Sequence, residues 1–485
     1  MVSSEGTLAR ARYDIAAHHN IRTSGDAMEW YQILSTKRFG RENDDGKLTG
    51  GRTAFESDID RILFSGSFRR LGRKTQVHPL VANDHIHTRL THSLEVSSVG
   101  RALGKALGAK IVKELPAGIS ESDLATIVQA ACLAHDIGNP PFGHAGESAM
   151  ADWFEQNGPK LFENLSPDYK HDIIGFDGNA QGFRVLTQTE NHLFEGGLQL
   201  TYATLGSFLK YPWSSHSRKR KFGSFISELP NLQRIADELG LASTSEFHWC
   251  RHPLAYLVEA ADDICYAVID LEDAVELRIL QFEAVRDFLL ELFDGAEKNR
   301  VRSMLASPMS HRVNLARLRG PVFDRAIEAA IEAYMVHYSD IMSGSYGKNL
   351  FESFEEHDPR RRLIFGAKEI ARERVFRDSK KVEVELGCYS TFDTLLDAFC
   401  IAALNQAEVL NNPQGEETLR LKSELVLQLL GDHAPSKTNE PPGSSWSAYQ
   451  CLRRVIDFVS GMTDSYAVYV ANQLQGMGFS GLQRP

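Results

Sequence analysis

Apolar residues recur at intervals of three and four along most of the chain, the period of a helix that buries one side and wets the other. The spacing predicts helices over 93–115, 121–135, 254–278, 282–293, 323–337 and 391–409. Alternation with a period of two, which marks a half-buried strand, is scarce, and 381–386 is its best instance. An all-α fold with little β is therefore expected. Clusters of Gly, Pro, Ser and charged residues at 40–51, 212–223 and 434–447 read as loops between helical blocks, the last of them mobile. These breaks suggest an N-terminal arm over 1–52, a functional core over 53–280 and a further helical region over 281–485.

The chain of 485 residues can hold one large core or several small ones, because single cores stop growing beyond roughly 250 to 300 residues. Apolar residues make up 42% and charged residues 24%, ordinary values that argue against general disorder. No run approaches the ~18 apolar residues that would span a bilayer, and residues 1–20 carry charges where a secretory signal would be apolar. A soluble, cytoplasmic protein with no membrane partner is the expectation. Cys132, Cys250, Cys265, Cys388, Cys400 and Cys451 form no close pair, so they read as reduced, mostly buried thiols rather than a zinc knuckle or a disulfide framework. A net charge of −11 argues against general nucleic-acid affinity, which needs a concentrated basic surface. A polyanionic substrate would then need local help from a metal ion and a few placed Arg and Lys side chains.

Candidate chemistry lies in three separated segments. His135 and Asp136 end a predicted helix that Gly138, Pro140 and Pro141 stop, which places both in its last turn, and His144 follows in the Gly/Pro loop. Segment 89–96 carries His92 at the beginning of a helix that Thr91 can cap. Segment 259–266 carries Asp262 and Asp263 inside a long helix. There Asp262, Tyr266 and Asp270 recur every four residues and share one stripe, bordered by Val258, Ala261, Cys265 and Ile269. Carboxylates beside an apolar surface demand partners, and a metal ion or a sugar hydroxyl would serve. Each feature alone has an ordinary explanation, a helix-end His complementing the dipole or acids on a solvated face. Two imidazoles with two carboxylates make a ligand set that suits Mn, Fe, Co or Ni, and Mg less naturally.

Together these stretches resemble the HD superfamily of metal-dependent phosphohydrolases. Within it, segments 68–77, 89–95, 179–184 and 259–274 resemble the dGTPase-type triphosphohydrolases; with the His-Asp stretch they make five motifs in the family's order between Phe68 and Ala274. The resemblance implies an HD-type helical core and a divalent ion, Mg, Mn or Co, held by His92, His135, Asp136 and Asp262. Asp263 is the competing acid, but only Asp262 keeps the four-residue spacing to Tyr266 and Asp270, so Asp263 is expected behind it. By the same resemblance His144 and Glu147 organise the attacking water. Gln76 and Asp270 hold a deoxyribose, Tyr266 stacks near the sugar and helps exclude a 2′-hydroxyl, and Arg89 and Lys210 contact phosphates.

The implied activity is hydrolysis of a deoxynucleoside triphosphate, with dGTP the leading candidate, to the deoxynucleoside and inorganic tripolyphosphate in a homo-oligomer. Alternatives on the same metal site are a nucleoside 5′-monophosphatase, a guanosine-tetraphosphate hydrolase or a cyclic-dinucleotide phosphodiesterase; from another class, a non-catalytic nucleotide- or nucleic-acid-binding regulator. The basic run Arg218, Lys219, Arg220, Lys221 reads first as a solvated loop, with a regulatory nucleotide or single-stranded DNA at a second site as its functional alternative.

Overall fold

The computed structural model describes residues 27–42, 50–77, 83–161, 165–191, 195–305, 309–414, 418–439 and 445–477. Most of the expected N-terminal arm, and residues 43–49 and 440–444 of two expected loops, lie outside them. The described chain is helical almost throughout; its one sheet is a two-stranded antiparallel hairpin of Ser243–Ser245 and His248–Trp249. No helix among the described residues is long and apolar enough to cross a membrane. All six cysteines are buried and unpaired.

The central pair is an antiparallel packing of Arg89–Lys110 on Glu121–Ala134. Both helices begin with reciprocal caps, Thr88 with Thr91 and Ser120 with Asp123, which satisfy backbone N–H groups that a helix start leaves open. Their close approach depends on Gly100, Gly104 and Gly108, one helical turn apart. A Cβ at Gly104 would lie 2.8 Å from Ala125 Cα, and one at Gly108 2.8 Å from Glu121 Cα. Because the helices run antiparallel, the start of the first meets the end of the second, and His92 comes to His135. The Ala255–Glu276 helix packs across the first of them, burying Ala261, Ile264, Cys265 and Val268.

Among the described residues the apolar interior forms two clusters. One runs from Met28 to Val375 and encloses the helices just described. The other joins Phe142, Met150, Trp153 and Phe154 to the helices Ser379–Asn411, Ala448–Ser460 and Asp464–Leu474. Thus the His144–Leu161 helix rests on the C-terminal region, where Trp153 Nε1 also donates to Asp397 Oδ1 at 2.9 Å. Arg184 spans to the same region, its Nε and Nη2 each 2.8 Å from the carboxylate of Asp457.

Three local expectations are corrected. Segment 381–386 is not a strand but lies inside the Ser379–Asn411 helix. Its apolar residues do not share a face: Val384 packs inward, while Val382 and Leu386 are exposed, and Lys381 pairs with Glu385 one helical turn on. The cap before His92 is Thr88 rather than Thr91, which occupies the third helical position of the same capping box. His135 and Asp136 lie just past the last helical turn, since the Glu121–Ala134 helix has His135 as its C-cap.

Candidate metal centre

Four polar side chains from three elements converge at the junction of the central helices. His92, His135 and Asp136 offer ligand atoms that all lie within 4.8 Å of one another. Asp262 is outside that mutually close trio, yet its Oδ1 is 3.2 Å from His92 Nε2 and 3.6 Å from His135 Nε2. Two carboxylates flanking a pair of imidazoles need not touch each other to share a cation.

The proton placement fits metal binding. His135 Nδ1 lies 2.6 Å from the carbonyl of Cys132, which can only accept, so the ring proton sits on Nδ1 and the Nε2 lone pair faces the cluster. His92 is fully buried, and its Nδ1 has no partner among the described residues. Burial works against a charge on this ring, but Asp262, Asp136 and Asp270 nearby raise its affinity for a proton, and a cation would meet the same field. Asp262 also resists burial's push toward the neutral acid: the hydrogen bond from His92 and the charges of His135 and His92 hold it well below the usual carboxylate range. For Asp136 burial is likewise outweighed, by Arg89 first and then the two imidazoles, and its pKa falls to about 2. Both carboxylates are therefore ionised, as a divalent ion requires, and the field that favours a proton on His92 would favour a cation in its place.

This cluster opens into a cleft of about 520 Å³, a volume suited to a nucleotide-sized ligand. Gln76, Arg89, Lys210, Tyr266 and Asp270 line it, as do His144 and Glu147. His144 is exposed, with Nδ1 2.9 Å from Glu147 Oε2, while Glu147 accepts from the Gly178 amide through its other oxygen at 2.8 Å. Burial opposes ionisation of Glu147, but its bond to His144 and the charge of Lys221 bring its pKa to about 2. Asp270 is the opposite case. It is buried, neither oxygen has a partner among the described residues, and burial pushes its pKa up to about 7. Gln76 Oε1 is likewise buried without a partner.

Two expected roles are qualified by the contacts. Arg89 is held in part by Asp136, its Nη1 2.7 Å from Oδ2. Asp263 does not stand behind the metal cluster; it accepts from Lys368 Nζ at 2.6 Å and Asn349 Nδ2 at 2.7 Å. The cleft also takes in Tyr211, Phe376, Lys381 and Glu385, to which no role was assigned from the sequence, together with Asn179 of segment 179–184 and Lys221. Lys221 belongs to the basic run, whose members are used separately. Lys221 reaches Glu147 at 3.4 Å and Asp177 at 3.7 Å, Arg218 pairs with Asp168 at 2.7 Å, and Lys219 lies over the Trp213 ring at 4.2 Å. The run is thus less a free basic patch than three separate internal contacts and one further arginine.

An HD-domain family model matches residues 89–203, so the helices presenting His92, His135 and Asp136 are those of an HD domain. Over the whole chain the similarity is more specific. A deoxyguanosinetriphosphate triphosphohydrolase-like protein of Pseudomonas aeruginosa is 46% identical over 457 residues, which cover 93% of this chain and 99% of its own length. A protein of the same description from Synechocystis is 36% identical over 470 residues, 93% of this chain and all of that one. The deoxyguanosinetriphosphate triphosphohydrolase of Cronobacter sakazakii is 33% identical over 479 residues, 85% of this chain and 92% of its own. The chain belongs to the dGTPase-type family of HD-superfamily phosphohydrolases.

Proposed function

We propose that this protein hydrolyses deoxynucleoside triphosphates, dGTP foremost, to the deoxynucleoside and inorganic tripolyphosphate. The observation that carries this reading is the meeting of two imidazole Nε2 atoms and two ionised carboxylates at the floor of a nucleotide-sized cleft. His92, His135, Asp136 and Asp262 would hold a divalent ion, Mn, Co or Mg, whose contribution when bound is Lewis-acid polarisation of a phosphoryl oxygen.

The remaining steps fall to the chain's own side chains. Glu147 holds the Nδ1 proton of His144 and leaves Nε2 free to take a proton from the attacking water. Water attacks the α-phosphorus, the bond from phosphorus to O5′ breaks, and O5′ leaves with a proton as the deoxynucleoside. Lys210, Lys221 and the uncommitted part of Arg89 oppose the charge of the three phosphates. The unpartnered oxygens of Asp270 and Gln76 suit the 3′-hydroxyl of the sugar as donor, and Tyr266 beside them crowds the 2′ position. Phe376 offers a flat apolar face to a base, and Lys381 with Glu385, 2.8 Å apart, presents a cation beside a carboxylate. Guanine's Watson–Crick edge matches it, with an acceptor at O6 beside donors at N1 and N2. The family resemblance adds the expectation of a homo-oligomer, with a second nucleotide or single-stranded DNA site.

The test is a screen of all four deoxynucleoside triphosphates with Mg, Mn and Co, with both products read by chromatography. Metal-stimulated release of intact tripolyphosphate, greatest from dGTP, is expected. Release of orthophosphate or pyrophosphate instead, or turnover confined to monophosphates or cyclic dinucleotides, would replace this reading with another phosphohydrolase chemistry.

A further inference from the structure

The cleft has a brace that lies far from it in sequence. Asp464 begins the Asp464–Leu474 helix and is 2% exposed. Its Oδ2 accepts from the Thr75 amide at 2.9 Å and the Thr75 hydroxyl at 2.6 Å, while Oδ1 accepts from the Phe142 amide at 2.9 Å. One carboxylate thus bridges two backbone segments of the cleft wall. The first carries Gln76, and through the Thr75 bridge to Thr88 and the bond from the Arg89 amide to the Lys74 carbonyl it is tied to the start of the His92 helix. The second is the turn that delivers His144.

That turn needs a restraint. Phe142 has φ +61° and Gly143 φ +58°, two successive residues in the left-handed region, which is unfavourable for a bulky side chain such as Phe142. Such a conformation persists only where surrounding contacts over-determine it, and Asp464 holds the amide at its centre. A neighbouring contact acts in the same direction. Lys74, also buried, donates from Nζ to the carbonyl of Asn139 at 2.6 Å and that of Ser460 at 2.7 Å, so the C-terminal segment grips the first wall a second time and Lys74 ties that wall directly to the other.

We infer that Asp464 is a positioning residue, which sets His144 and Gln76 relative to each other across the cleft. The inference rests on the triphosphohydrolase reading for its kinetic consequences, though not for its structural ones. Asp464→Asn keeps the size of the side chain but offers one acceptor oxygen and turns an amide N–H₂ toward the other donors, so only one wall stays tied. Amide exchange should accelerate in peptides covering 73–77 and 139–146 and stay unchanged in the Ser379–Asn411 helix. With dGTP and Mn, kcat should fall about tenfold to a hundredfold, the scale of loss that small misplacements cause, and KM should rise. Thr75→Val removes the hydroxyl donor alone and should raise KM while leaving kcat near that of the parent. Thr75→Val also covers the case in which Asp464→Asn fails to fold. Parental exchange and kinetics in Asp464→Asn would overturn the inference, as would an activity loss that only tracks the folded fraction with KM and exchange unmoved. If the parent protein hydrolyses no deoxynucleoside triphosphate, the functional reading fails, and the exchange comparison alone decides the role of Asp464.

Discussion

Asp270 shows how a site residue can be costly to the fold that carries it. A buried carboxyl with pKa near 7 retains its proton in the folded chain where the unfolded chain has already released it. Its folded value lies above the unfolded one, so its contribution is fully favourable below about pH 4 and is lost as pH rises toward 7. Above that point about three pK units separate the two states, on the order of 4 kcal/mol against folding. In the metal-free protein, Asp270→Asn should therefore raise the melting temperature at pH 8 and leave it nearly unchanged at pH 4, while weakening nucleotide binding. Equal melting shifts at both pH values would show that Asp270 does not titrate in this range. At this scale the sequence was informative wherever spacing carried chemistry. The four-residue stripe of Asp262, Tyr266 and Asp270 does face the cleft, and His92, His135 and Asp136 do come together. Lys221 was read first as part of a solvated loop, because a run of like charges looks solvated until one member is seen to turn inward.

Elements were legible in kind but not at their ends. The periodicity found the helices; what it missed is the device that sets their spacing. Gly100, Gly104 and Gly108 form a ladder visible in the sequence, and they let two helix backbones approach closely enough to place His92 beside His135. Gly104→Val should push the pair apart and lower stability by about 1–3 kcal/mol or more, as overpacked cores do. Urea unfolding measures the loss, and the affinity for Mn should fall with it, since the ligands sit on the separated helices. An unchanged Mn affinity would mean that the cluster tolerates a wider spacing. The strand expected at 381–386 failed for a related reason: in a short segment of alternating charge and Val, a two-residue period is also compatible with a helix, and the Lys381–Glu385 pair belongs to the helical alternative.

On the scale of the whole molecule, the two apolar clusters are joined by buried polar links that no local pattern reveals. The most demanding is Arg184 with Asp457, 273 residues apart in sequence and almost without solvent. Burial alone would favour the neutral acid at Asp457, but Arg184 holds its carboxyl far below the ordinary range. Its stabilising contribution is thus present above about pH 4 and lost as pH falls through the depressed value. Asp457→Ala leaves Arg184 buried with Glu228 still beside it and should cost at most about 3–5 kcal/mol in denaturant unfolding at neutral pH, with the difference from the parent shrinking in acid. Long-range pairs of this kind need the fold to be known first, which is why the part played by residues beyond 280 was the least legible feature of the sequence.

The dependence of the cleft on Lys381, Glu385 and Asp464 bears on how the protein is made. A nascent chain emerging from the ribosome presents its His and Asp cluster long before the last wall has been synthesised. Domains fold roughly in order of synthesis. The HD helices can therefore assemble early, but the pocket around them closes only after the Asp464–Leu474 helix has been made, so chains terminated before it should be inert even where they capture a cation.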